Sequence, residues 1–425
     1  MIVSELLTLL VITSPVRAHP ATDVLDHVVG SFPKIQGLQE CPKYIVCDGY
    51  RLFHKDCFKA GKITAQTAEH YEEYKVKLKE YAKNAELEPT NPWYGMEVVE
   101  MEHHLGFSFT VKYALDHLVE TPYIFLVQHD RPFLRDFNLE LCLNTMENHP
   151  EIKYLGLKTP KTRHLRGGTG RKSRCEGTIF TKGELQVYEL WFWYDSNHLC
   201  RTSKYQELFQ QRYQDYLEGE AEEFMQSVFP HIQELAKRGR AHEVSPEEVL
   251  RLRYRPLIRK QEFFEDVYGQ LMKKHLPYAL QTGGERRAEE VHTLYGAYLL
   301  DTGNEDIVCH YDGRKYRTSE QTQEIISYNH KHQKFSGRGS RRFQKPPCQS
   351  TTQEIDLKKD GLENMNAENY SKINKIKKDK RFNGSVHSNL STNNGPIHSK
   401  NQMQDIESGN DIHIQSIWQE DEQIR

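Results

Sequence analysis

The chain has 425 residues, of which 37% are hydrophobic and 28% charged, with a formal net charge of -3. That length holds one large domain with additions, or two domains, around a globular core, and leaves part of the chain too polar to fold. A charge so close to neutral argues against a molecule that, as a whole, binds nucleic acid or a membrane surface electrostatically. The eight cysteines are scattered, with no CxxC and no Cys/His zinc spacing. They speak against a disulfide framework and fit reduced thiols in a cytoplasmic compartment.

The N-terminal apolar run Leu6 to Ile12 is about seven residues long and lacks a basic leader, so it reads as a first strand ending at Ser14-Pro15 and not as a signal peptide. No other segment is apolar enough to span a bilayer. A helix follows around Pro20 to Phe32, then a strand Lys43 to Cys47 that breaks at Asp48-Gly49. Thr64 to Lys83 reads as a charged amphipathic helix, "GMEVVEMEHH" as a strand, and "GFSFTVKYALDHLVE" as a helix with Ser108 as its cap. "YIFLVQHDRPF" is a buried strand that ends on Gln128, His129 and Asp130. A helix near Phe137 to Asn148 and a strand "IKYLGLK" come next. The alternation predicts an α/β fold, a mainly parallel twisted sheet with helices on both faces. Ligands of such sheets bind beyond the carboxyl ends of the strands, and both sharp polar breaks fall there.

Lys161 to Arg174 is a basic, Gly-rich loop by composition. "LWFWYDSNHLCR" reads as an aromatic strand ending at Asp195, and the charged stretch from Thr202 to Arg240 as an inserted helical pair. "EFFEDVYGQLMKKH" is a helix or its entry, and strand-like residues recur at Tyr295 to Leu300 and Ile307 to Tyr311. Beyond Thr318 the chain turns basic and then polar, the composition of a disordered tail.

Several residue types in this pattern suit chemistry. Asp130 at a strand's carboxyl end suits a divalent cation holding a diphosphate, magnesium or manganese by ligand hardness; the alternative is a turn cap with Arg131-Pro132. Asp48 is either an acceptor for a base or ribose or half of an Asp-Gly turn. Glu265 and Asp266 follow two aromatics and suit a general base, or else helix-start acidity. His310 and its rival His198 are imidazoles for a metal or structural residues. Trp191 and Trp193 offer an acceptor platform or core packing.

The order of "LLVITSPVRAHP", "YIVCDGYR", "YIFLVQHDRPF", "FFEDVYGQ" and "VCHYDGRKY" resembles the GT-A class of nucleotide-sugar glycosyltransferases, its family-two-like members in particular. The resemblance spans Leu6 to Arg317, a Rossmann-like GT-A domain of residues 1–317, and leaves out a charged helical insert, 206–259, and the tail, 318–425. It implies that the loop Thr13, Ser14, Pro15 and Arg17 holds the donor nucleotide and that Asp48 meets the base. It further implies that Gln128-His129-Asp130 replaces a DxD triplet, that Glu265-Asp266 supplies the base, and that His310 completes a Mn2+ or Mg2+ site. The first Asp of the triplet is Gln128 here, which accepts from a ribose hydroxyl but adds no charge.

The implied reaction is inverting, metal-assisted sugar transfer from a nucleoside diphosphate sugar to an acceptor hydroxyl of a glycan, lipid or protein. Competing readings are a nucleotidyltransferase, a non-catalytic nucleotide- or glycan-binding relative, and an interaction protein acting through its insert and tail. A nucleotidyltransferase would want a Gly-rich basic signature near the N-terminus, which Thr13 to Pro20 lacks.

Overall fold

A computed structural model describes residues 2–159, 179–182, 185–259, 262–303 and 305–311. The chain divides into units 1–342 and 343–425, and every described residue belongs to the first. The predicted Gly-rich loop, the tail and the boundary at 317 lie outside the described residues.

The strands are β1 (Leu7–Thr13), β2 (Lys43–Cys47), β3 (Arg51–Leu52), β4 (Lys62–Ile63), β5 (Met96–Glu100), β6 (Tyr123–Gln128), β7 (Tyr154–Gly156), β8 (Ile179–Lys182), β9 (Leu185–Glu189), β10 (His198–Arg201) and β11 (Ala297–Leu300). Among the described residues, nine of them form one sheet in the order β5-β2-β1-β6-β10-β7-β11-β9-β8, and β3 pairs with β4 apart from it. Only β9 and β10 run against the rest. β1 sits beside β2 and β6 in parallel, and every one of its residues is buried. That is why LTLLVIT is a continuous apolar run with no alternation: a central parallel strand is covered on both faces.

The covering helices divide between those faces. Leu9, Val11, Ile45, Phe125 and Val127 pack toward helices Asp23–Val29, Ala65–Ala85 and Leu139–Asn148. Leu10, Ile12, Val46, Ile124 and Leu126 pack toward helix Gly106–His117, the long helix Gln270–Tyr295 and the helices between Thr202 and Arg253. The alternation of partners follows the strand period of two.

Two expectations change. The stretch from Thr202 to Arg240 holds four short helices, not a pair, a fifth follows at Pro246–Arg253, and they are no appendage. Tyr205, Leu208, Tyr216, Leu217, Met225 and Phe229 are buried in the same cluster as Leu10 and Ile124. The charged residues occupy the outer faces, and the aromatic stripe carries the burial. The aromatic stretch Leu190 to Asn197 is a loop between β9 and β10, not a strand. Its rings plug the core from the loop, with Trp193 fully buried against Tyr154, Tyr205 and Tyr268.

Candidate active site

Register fixes the rim. Thr13 lies opposite Cys47, and Ile12 opposite Gln128. Ser14, Asp48 and the Gln128–Asp130 loop therefore leave the sheet side by side at the carboxyl ends of β1, β2 and β6. The Asp48 N–H donates to the Thr13 carbonyl at 2.8 Å, and His129 Nδ1 to that of Ile12 at 3.3 Å. In the loop after β1, Ser14 is half-buried, Pro15 buried and Arg17 exposed, with its guanidinium 5.8 Å from the Phe58 ring. The loop is wound around His19, which accepts from the Val16 N–H and stacks on Tyr71 and Tyr74.

Asp48 has a structural occupation. It is buried, and its Oδ1 and Oδ2 accept the N–H groups of Leu105 and Gly106 at 2.8 and 3.0 Å, with His104 Nδ1 2.7 Å from Oδ2. It thus caps helix Gly106–His117, the place expected for Ser108, which lies buried inside the first turn. A carboxylate arriving from β2 answers two orphan N–H groups and the positive helix end together, which a single hydroxyl does not. Two glycines permit this closure. A Cβ on Gly49 would sit 2.3 Å from the His103 carbonyl carbon, and one on Gly61 (φ +62°) 2.2 Å from the His104 ring. Asp48→Ala should therefore cost about 3 kcal/mol of stability by stranding buried N–H donors, read as a shift in the urea midpoint. A change within about 0.5 kcal/mol, the range of an ordinary surface substitution, would refute the cap.

Asp130 and His310 meet. His310 Nε2 is 3.0 Å from Asp130 Oδ2, and the Tyr311 N–H donates to the Asp130 carbonyl at 2.9 Å. Burial pushes the Asp130 carboxyl upward, but the His310 hydrogen bond and the charges of His129 and Arg131 outweigh it and hold the group well below the usual carboxylate range. Among the described residues no group of three or more His, Cys, Asp or Glu side chains gathers to hold a metal ion. His198 is excluded as a ligand. It is buried, its Nδ1 donates to the Ser196 carbonyl at 2.5 Å, and its Nε2 accepts from Tyr205 Oη at 2.6 Å.

A tether that the sequence did not reveal joins this pair to the acidic turn. Gln128 Nε2 donates to the Asp195 carbonyl at 2.5 Å, and Asn197 Oδ1 accepts the Gln128 N–H at 3.1 Å. Asn197 Nδ2 donates to the Arg131 carbonyl at 2.7 Å, and Arg131 to Ser196 Oγ at 3.3 Å. Asp195 in turn accepts the Glu265 N–H on Oδ2 at 3.1 Å, while its own N–H faces Glu265 Oε2 at 3.5 Å. Burial raises the Asp195 carboxyl well above the usual range, against the pull of the Glu265 N–H; the charges of Glu265 and Asp266 raise it further and that of Arg131 opposes them. Asp195 is thus a buried strut whose charged form is disfavoured, and Glu265, Asp266 and Arg131 lie within electrostatic reach of it. The polar triplet Asp195-Ser196-Asn197 between two apolar strands was the available signal.

Glu265–Gly269 is one turn of π-helix entering the long helix. Within it Glu265 is half-buried and Asp266 exposed. Gly269 packs so closely that a Cβ there would sit 2.6 Å from the Trp193 carbonyl. Trp193 is thereby removed as an acceptor platform, being core; Trp191 is half-buried, with Nε1 3.4 Å from Glu189 Oε2.

No family model and no curated protein matches the chain. Solved structures that it resembles include S. aureus TarS (12% identity over 50% of this chain and 31% of that chain, TM-score 0.29). Others are TarS 1-349 with UDP-GlcNAc (13%, 48% and 47%, TM-score 0.28) and GalNAc-T7 with UDP, GalNAc and Mn2+ (12%, 48% and 36%, TM-score 0.31). The chain spans about a third to a half of those chains. At such scores the overlap carries no argument, and the chemistry is argued from the rim itself.

Proposed function

We propose that the chain is a glycosyltransferase that moves a sugar from a nucleoside diphosphate sugar to an acceptor hydroxyl. The observation that carries the reading is the junction of Asp130 and His310 at the end of β6, tied through Asp195 to the Glu265-Asp266 turn. An anionic carboxylate and an imidazole are thereby linked to the turn that carries a second, exposed carboxylate.

Asp130 Oδ2 and His310 Nε2 are a hard oxygen and an imidazole nitrogen, a donor set that fits Mn2+ or Mg2+ once diphosphate oxygens complete the sphere. When bound, such a cation offsets the charge that builds on the departing diphosphate. Gln128 spends its amide N–H2 on Asp195, which leaves its carbonyl oxygen for a ribose hydroxyl. Thr13, Ser14, Pro15 and Arg17 border the nucleotide, and Asp48 shapes its pocket by fixing the start of helix Gly106–His117. Asp266 takes the proton of the acceptor hydroxyl. The acceptor oxygen bonds to the anomeric carbon as the bond to the diphosphate breaks on the opposite face, and the configuration inverts. Trp191 stands as the remaining ring for the acceptor.

The test is a panel of nucleoside diphosphate sugars with and without Mn2+, read by melting temperature. One donor should raise the melting temperature, by an amount set by its concentration over its Kd. His310→Ala and Asp130→Asn should abolish the Mn2+-dependent part. A panel that never shifts the protein overturns the reading. A second reading, binding without transfer, is favoured by Gln128, which adds no negative charge at the cation. Donor hydrolysis with Mn2+ separates the two.

A further inference from the structure

The segment between β2 and helix Ala65–Ala85 projects at the same rim as a short ribbon made by β3 and β4. On it two large apolar side chains stand in water, Leu52 at 65% and Phe53 at 42% exposure. Arg51, His54, Lys55 and Lys59 are exposed around them, with Lys62 half-buried beneath. The lone carboxylate of residues 49–64, Asp56, is consumed by the Thr64 N–H at 2.8 Å and the Thr67 hydroxyl at 3.1 Å. Among the described residues no carboxylate pairs with Arg51, Lys55, Lys59 or Lys62. A chain of net charge -3 thus carries an unbalanced cationic collar around an exposed Leu-Phe pair.

We infer that this ribbon docks the protein on an anionic phospholipid surface, with Leu52 and Phe53 entering the acyl boundary and the cations meeting lipid phosphates. Apolar insertion and headgroup attraction add in this arrangement, and neither suffices alone. Nucleic acid fits the ribbon less well. The aliphatic Leu52, the more exposed of the pair, gives a base nothing to stack on. A protein partner adding a strand fits less well too, because β3 and β4 are only two residues each. No helix among the described residues is long and apolar enough to cross a membrane, so the contact is peripheral. The Arg17 guanidinium, 5.8 Å from the Phe58 ring, places the segment between β3 and β4 beside the loop after β1.

Flotation of the full chain with vesicles tests this independently of any transferase activity. Vesicles of phosphatidylcholine mixed with phosphatidylserine should carry the protein, and phosphatidylcholine alone should not. Arg51→Gln with Lys55→Gln should weaken partitioning roughly 25-fold, since each cation near the surface contributes about fivefold. Leu52→Ser with Phe53→Ser should abolish flotation, with melting temperatures held near that of the parent in both variants. Three outcomes overturn the inference: no flotation of the parent, equal flotation on phosphatidylcholine alone, or ribbon variants that float as well as the parent, which would move the contact to another basic segment. Loss of RNA or heparin binding in the same variants, without vesicle binding by the parent, would also overturn it and reassign the collar to a dissolved polyanion.

Discussion

Asp266→Asn should lower the rate of sugar transfer by about 10²- to 10⁴-fold while the melting-temperature shift given by the donor stays unchanged. In barrier terms that is about 3 to 5 kcal/mol. The reason lies in the division of labour within the acidic turn. The Glu265 N–H is held by Asp195 Oδ2, and its carboxylate faces the Asp195 N–H, so that residue is pinned inward. Asp266 is exposed, and an acceptor hydroxyl can reach its carboxylate. Glu265→Gln should accordingly cost less than Asp266→Asn. Single-turnover rates with whichever donor stabilises the protein decide the matter. An Asp266→Asn variant that turns over normally removes it as the base, and the donor shift in the same variant shows whether the nucleotide site survives that result.

The second large effect is acid lability. Burial pushes the His198 imidazole down to about 3, opposed only by the Ser196 carbonyl. Burial does the same to His19, with help from the charges of His129 and His70, and holds it well below its ordinary value. His275 and His292 are lowered chiefly by burial as well. These rings are neutral in the fold. Below about pH 6.5 the unfolded chain binds their protons and the folded one does not, so their stabilisation is complete above that pH and drains away as pH falls. A ring that stays neutral in the fold loses about 1.4 kcal/mol per pH unit. His198 alone should therefore remove about 2 kcal/mol between pH 6.5 and 5, and His19, His275 and His292 act in the same direction. Urea midpoints at pH 7 and pH 5 measure it, and His198→Gln should flatten part of the slope. A profile that is level across that interval would show the rings to be reached by water.

What could be read in the sequence was whatever one face or one end of an element decides locally. The boundaries of β2 and β6 came from apolar runs that stop at Asp48 and at the Gln128 triplet, because a strand buried on both faces has no polar positions until it leaves the core. The meeting of Asp130 with His310 was legible only as an expectation of the resemblance, since the two are 180 residues apart. Leu190 to Tyr194 was misread because aromatic residues favour strands, whereas here the rings serve tertiary packing from a loop. Asp48 as a cap was hidden because its N–H partners lie 57 and 58 residues downstream. The role of Asp195 is not legible because nothing local shows that a carboxyl will be buried.

The π-turn at Glu265–Gly269 carries one residue more than an ordinary α-helical turn. Each helical residue advances the side-chain direction by about 100°. Deleting a single residue from the turn would let the helix relax to regular winding and would rotate its acidic pair by that angle relative to the body behind it. Such a deletion would keep the scaffold and turn away the residue proposed as the base, so the phase of this turn is a direct probe of that proposal.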